Sequence, residues 1–142
     1  MIRRHPVLAA VTLVYLVAVG LITLLPQSPD STGSAVARAI VAALRGFPPT
    51  AWVTYDGAEF TANIVMFVPM GVLFTLLLGV HRWWLALVIG VAATCLIEGA
   101  QLVIPGRFSD VRDLVANSLG TLIGIGIVAA ATAARRPLAV RE

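Results

Sequence analysis

Four long apolar runs alternate with shorter polar stretches. They cover about residues 7–25, 57–79, 83–104 and 114–134. Each is close to the roughly 20 residues a helix needs to cross a bilayer core. The pattern predicts an all-α integral membrane protein, with four transmembrane helices in a single domain, residues 1–142. The first run follows Arg3-Arg4-His5-Pro6 and stops at Pro26-Gln27. It is too long for a signal-peptide core and lacks a small-residue cleavage site, so it is expected to stay as the first helix. Asp56-Gly57-Ala58-Glu59 offers Asp56 as an N-cap with an acid three residues on, a capping-box start for the second span. Pro69 inside that span removes a backbone donor and predicts a kink. Trp83-Trp84 places the start of the third span at an interface.

Between the first two spans, Ala35–Phe47 has a different period. Val36, Ile40, Ala43, Leu44 and Phe47 share a helical face, with Arg38 and Arg45 elsewhere. Gly46 and Pro48 end the segment. This predicts a short helix in the headgroup layer of the first outer loop.

Composition agrees with the periodicity. Apolar residues make up 59% of the chain and charged residues 12%, about half the usual share in a soluble domain. With a mean hydropathy of +0.95, a chain of this length has too much apolar surface to hide from water. The basic residues are all arginine, and they set the direction. Arg3, Arg4, Arg82, Arg135, Arg136 and Arg141 lie on one side in short segments. Arg38, Arg45, Arg107 and Arg112 lie on the other, in longer ones. The positive-inside rule then puts both termini in the cytoplasm of a cell-membrane protein. A net charge of +3 spread this way reflects topology, not nucleic-acid binding. Cys95 is alone, so no disulfide forms within the chain, and it is expected to pack as a small side chain.

The chemistry lies in the few polar residues within the spans. Glu98 and Gln101 are three apart and share a face of the third span. Ala86, Gly90 and Thr94 form a small-residue row leading to Glu98, so that face should meet protein. On the predicted spans Glu98 and Asn63 lie roughly 9 Å from their outer helix ends, and Asn117 roughly 5 Å. The loop above carries Arg107, Asp110, Arg112 and Asp113. Asp113 and Asn117 are four apart on one face, and Asp110 extends that face or caps the helix. A carboxylate at this depth is costly unless protonated or paired, with Arg107 or Arg112 the candidate partners. These residues predict one outward-facing polar pocket: Asn63, Glu98, Gln101, Arg107, Asp110, Arg112, Asp113 and Asn117. The bland alternative is a set of helix caps and a hydrogen-bonded clasp between helices. Gly120 and Gly124, with Ala116 above, form a close-packing face for the bundle or for a homo-oligomer.

The segments "NIVMFVPMG" (63–71), "EGAQ" (98–101) and "GRFSDVRDLVANSLGTLIG" (106–124) stand in an order and spacing that resembles the VanZ-like family. That family is named for a membrane protein associated with resistance to teicoplanin, a lipid-tailed glycopeptide antibiotic. The resemblance covers about residues 57–130 and implies a small multi-span helical protein. It implies no settled reaction.

The favoured reading is a binding protein, not an enzyme. Its ligand would be a cell-envelope amphiphile: a lipid-linked wall precursor, a phospholipid headgroup or a lipoglycopeptide antibiotic. Arg107 and Arg112 would meet phosphate or carboxylate, while the carboxylate and amides would meet sugars. An enzyme acting on a lipid-linked or phosphorylated substrate is the first alternative. Against it, His5 and His81 fall on the inner side, and no nucleophile elbow, H-E-x-x-H or Cys/His metal spacing occurs. No catalytic residue, metal site or cofactor is expected. A small transporter would need a polar path through the inner halves of the spans, which are nearly devoid of polar residues.

Overall fold

The computed structural model describes residues 5–25, 32–50, 52–105 and 109–135, with side chains in the second of these segments from Ala39 onward. Of the residues singled out in the sequence, Arg3, Arg4, Pro26, Gln27, Arg107, Arg136, Arg141 and the side chains of Val36 and Arg38 lie outside this description. Among the described residues five α-helices form: α1 (Pro6–Leu24), α2 (Thr32–Arg45), α3 (Tyr55–Leu78), α4 (Trp83–Gln101) and α5 (Val111–Ala134). All but α2 are long and apolar enough to span a membrane. The chain is therefore an all-α, multi-pass membrane protein with a short helix in the connection between its first two spans.

Local chemistry sets the helix ends. Pro6 opens α1, where its missing N–H costs nothing. Thr54, not Asp56, caps α3: its hydroxyl accepts from the Gly57 N–H at 3.1 Å. Asp56 therefore sits inside the first turn, free to point outward, and the chain around it stays helical from Tyr55. α3 runs unbroken through Pro69. Gly79, at φ 86°, makes the left-handed turn after it, a conformation a side chain would strain. One 3₁₀ turn, Val80–Arg82, then leads into α4. α4 ends at Gln101, three residues before the predicted end of its span. Its last carbonyls bond instead to the N–H groups of Leu102, Val103 and Ile104 in a tightened turn. α5 begins three residues earlier than predicted, because Asp110 caps it by accepting from the Arg112 N–H at 2.8 Å.

The bundle is built on α3 and α5, which pack in parallel along most of their length. Glycine makes this possible. A Cβ on Gly120 would collide with the Ile64 carbonyl oxygen, one on Gly124 with that of Val68, and one on Gly71 with that of Thr121. The Gly120/Gly124 face is thus filled by α3 of the same chain. On α4, Ala86, Gly90, Thr94 and Glu98 are all buried, as the small-residue row predicts, and Gly90 leaves room for Thr121. α1 leans more lightly on α3 and α4. Its Val19 joins Phe67 and Met70 in a small core flanked by Tyr15, Leu16, Phe74 and Ile97. Cys95 is exposed, contrary to expectation. It follows Thr94 by one position, which turns it about 100° off the buried row toward the lipid-facing side.

Candidate functional site

The N-termini of α3 and α5 lie side by side at the end of the bundle that also carries the C-terminus of α4. There the polar residues of the spans form two tiers. The lower tier is a set of braces. Glu98, 7% exposed, accepts with one oxygen, Oε2, from both the Ser109 hydroxyl and the Asp110 N–H, each at 2.9 Å. This ties the entry of α5 to the end of α4. Gln101 donates through Nε2 to the Thr23 carbonyl at 3.0 Å and so ties α4 to the end of α1. Asn117, 2% exposed, donates to the Thr94 hydroxyl at 2.9 Å, and the Thr121 hydroxyl donates to the Asn117 carbonyl at 3.0 Å. Asn63 donates to Asp113 at 2.7 Å across the α3–α5 seam. Gln101 Oε1, Asn117 Oδ1 and the Thr75 hydroxyl are buried with no hydrogen-bond partner among the described residues.

Two expectations change here. The depths are unequal: Glu98 lies about 5 Å from the end of α4, whereas Asn117 is about 9 Å into α5 and Asn63 about 12 Å into α3. Moreover, Arg112 does not reach down to Glu98. It lies 3.6 Å from Asp56, in an exposed ion pair of the kind that contributes at most about 1 kcal/mol. Glu98 is satisfied instead by groups of the connecting loop. That loop lies one turn beyond it, because α4 stops early.

The upper tier is a cleft of about 160 Å³ lined by Asp56, Glu59 and Phe60 from the start of α3 and by Asp110, Arg112 and Asp113 from the start of α5. Asp110, Arg112 and Asp113 were expected at a pocket; Asp56, Glu59 and Phe60 were not. Asp56 and Glu59 had been absorbed into helix capping. The signal that would have found them is a repeat of geometry. Asp56/Glu59 and Asp110/Asp113 are both i, i+3 acidic pairs at the start of a span, and alternating topology puts both starts on one side of the membrane. Helix dipoles favour acids there, which stabilises each pair without assigning it a task. The cleft gathers four carboxylates, one guanidinium and one aromatic face. Such a surface can accept hydrogen bonds from hydroxyl or ammonium groups and offer a single guanidinium fork. Asp113 joins the tiers, because it both lines the cleft and accepts from Asn63. Among the described residues, no group of His, Cys, Asp and Glu has an arrangement that could hold a metal ion.

No curated protein and no solved structure matches the chain. A family description does match, and it extends beyond the motif-bearing region to include most of α1. Matched over residues 12–132, the chain belongs to the VanZ/LLP1 family.

Proposed function

We propose that the protein binds the polar head of a cell-envelope amphiphile in the cleft between the N-termini of α3 and α5. The observation that carries this reading is the convergence of five charged side chains and the Phe60 ring, from the starts of two spans, on one cleft. Asp56, Glu59, Asp110 and Asp113 would take the hydroxyl or ammonium groups of the head. Arg112 would exchange part of its pairing with Asp56 for a phosphate or carboxylate of the ligand. Phe60 offers a flat face to a sugar ring. Glu98, Asn63 and Asn117 brace the starts of α3 and α5, Gln101 ties α4 to α1, and none of the four lines the cleft. Both termini are cytoplasmic in this reading, so the cleft opens toward the outer leaflet. The ligand class spans lipid-linked wall precursors, amine-bearing phospholipids and lipid-tailed glycopeptides such as teicoplanin. A contribution to glycopeptide resistance would follow from capture of the last of these.

The test is binding by the full protein in lipid nanodiscs, titrated with one amphiphile of each class. The wild type is compared with Asp113→Asn, Glu59→Gln and Arg112→Gln. At least one amphiphile should bind saturably. At least one variant should then weaken it roughly tenfold, the loss of a hydrogen bond to a charged group worth about 1.5 kcal/mol. Unchanged affinities in all three variants, or no saturable binding of any amphiphile, would overturn the reading.

A further inference from the structure

The connection between α1 and α3 has surface chemistry unlike that of a water-exposed loop. Ile40 and Leu44 are one turn apart on α2 and exposed, while Val41 beside them is buried. Beyond the helix, Phe47 is 61% exposed and Trp52 79% exposed. No acidic residue occurs between Ser31 and Tyr55, and Arg45, also exposed, closes α2.

Most of the described backbone N–H groups beneath these side chains are bonded within the segment. Gly46 N–H bonds to the carbonyls of Ala42 and Ala43, Phe47 N–H to Leu44, Thr50 N–H to Phe47, and Val53 N–H to Thr50. Pro48 and Pro49 have no N–H to satisfy. The Thr50 hydroxyl donates to the Leu44 carbonyl, one of those left over at the end of α2. The Trp52 indole N–H donates to the Pro49 carbonyl at 2.9 Å, so the most exposed ring in the segment presents no free donor. A loop in water has little need of this, because water satisfies its polar groups. A loop entering hydrocarbon must satisfy them internally. The exposed apolar side chains and the internally bonded N–H groups are separate features, and both fit the same surroundings.

We propose that Ile40, Leu44, Phe47 and Trp52 form a wedge inserted into the bilayer leaflet on the side of the cleft, with Arg45 at the level of the lipid phosphates. Its partner is the lipid surface itself. The wedge continues the lipid-facing surface of the spans, whose side chains at Leu21 and Ile22 on α1 and Val65 on α3 are likewise exposed and apolar. A Trp ring at the boundary and an Arg reaching to phosphate are the usual anchors of such a segment. This inference does not depend on any ligand in the cleft.

Two measurements on the full chain in nanodiscs test it. With Trp83→Phe and Trp84→Phe, Trp52 is the sole indole. Its emission should be blue-shifted and quenched several-fold more strongly by brominated acyl chains than by aqueous iodide. Independently, Phe47→Cys in a Cys95→Ala background carries an environment-sensitive dye. That dye should report an apolar setting in nanodiscs and respond to the same lipid quencher. Strong iodide quenching at both sites would mean that the segment stands in water. Shielding from both quenchers, with cross-linking between copies, would mean that protein covers it. Either result overturns the proposal.

Discussion

The α3–α5 seam and the attachment of α1 solve the same problem in opposite ways. In lipid, apolar surface alone gives helices little reason to associate, so packing and hydrogen bonds must do it. Along the seam, Gly71, Gly120 and Gly124 let backbone meet backbone, and the contact extends down most of both helices. α1 has no such row. Between side chains and main chain it is held by Tyr15, whose hydroxyl donates to the Met66 carbonyl at 2.7 Å, and by Gln101 on α4. Its glycine, Gly20, has no neighbour within 4 Å of where a Cβ would stand. The seam is a continuous fit; the α1 attachment, among the described residues, rests on point contacts around a small core. The cleft sits at the head of the seam, so the rigid interface positions it and α1 need not.

The comparison can be broken most severely at the seam. Gly71→Ala or Gly124→Ala forces a Cβ against backbone that cannot swing aside. Each should destabilise by about 3 kcal/mol or fail to accumulate, read as thermal unfolding in detergent and yield. The control is Gly126→Ala on the same helix, where nothing lies within 4 Å. It should stay within about 0.5 kcal/mol of wild type or gain slightly from helix propensity. A tolerated Gly124→Ala would show that the seam is looser than described.

A middle-sized effect is expected at the brace between α4 and α5. Glu98→Ala strands the Ser109 hydroxyl and the Asp110 N–H, a loss of about 1–3 kcal/mol. Glu98→Gln keeps an acceptor oxygen and should recover at least half of it. Equal losses in the two variants would mean that charge, not acceptance, is what the site requires. The smallest global effect should come from α1. Tyr15→Phe and Gln101→Leu each remove one point contact, worth about 0.5–1.5 kcal/mol. Their signature is local: faster amide exchange in α1 with little change in α3 or α5. Exchange rising equally in all spans would merge the two regions into one cooperative unit.

Much of this architecture was legible in the sequence because the bilayer imposes a length and the buried faces demand small residues. The row Ala86, Gly90, Thr94, Glu98 identified the inward side of α4 without any structure. Cys95 was misread for the converse reason. Where both faces of a helix are apolar, hydropathy does not say which meets lipid, and only the row of small residues does. The cap of α3 was misassigned because Thr54 and Asp56 both qualify chemically, and the choice depends on where the helix axis begins. The cleft was half legible. Its α5 wall stood out as a charged loop in an apolar chain, whereas Asp56 and Glu59 had an adequate local explanation as helix-start acids. What the sequence could not show is that Glu98 is answered by the loop's own Ser109 and main chain, since that requires α4 to end one turn early.

The bonds to Glu98 also bear on how the chain enters the membrane. α4 emerges from the ribosome before α5, so for a time its carboxylate has none of the native donors. Its two donors, on Ser109 and Asp110, follow within twelve residues and precede the rest of α5 in the chain. The docking of that short connection thus joins the end of α4 to the cap of α5 through one carboxylate and one main-chain N–H.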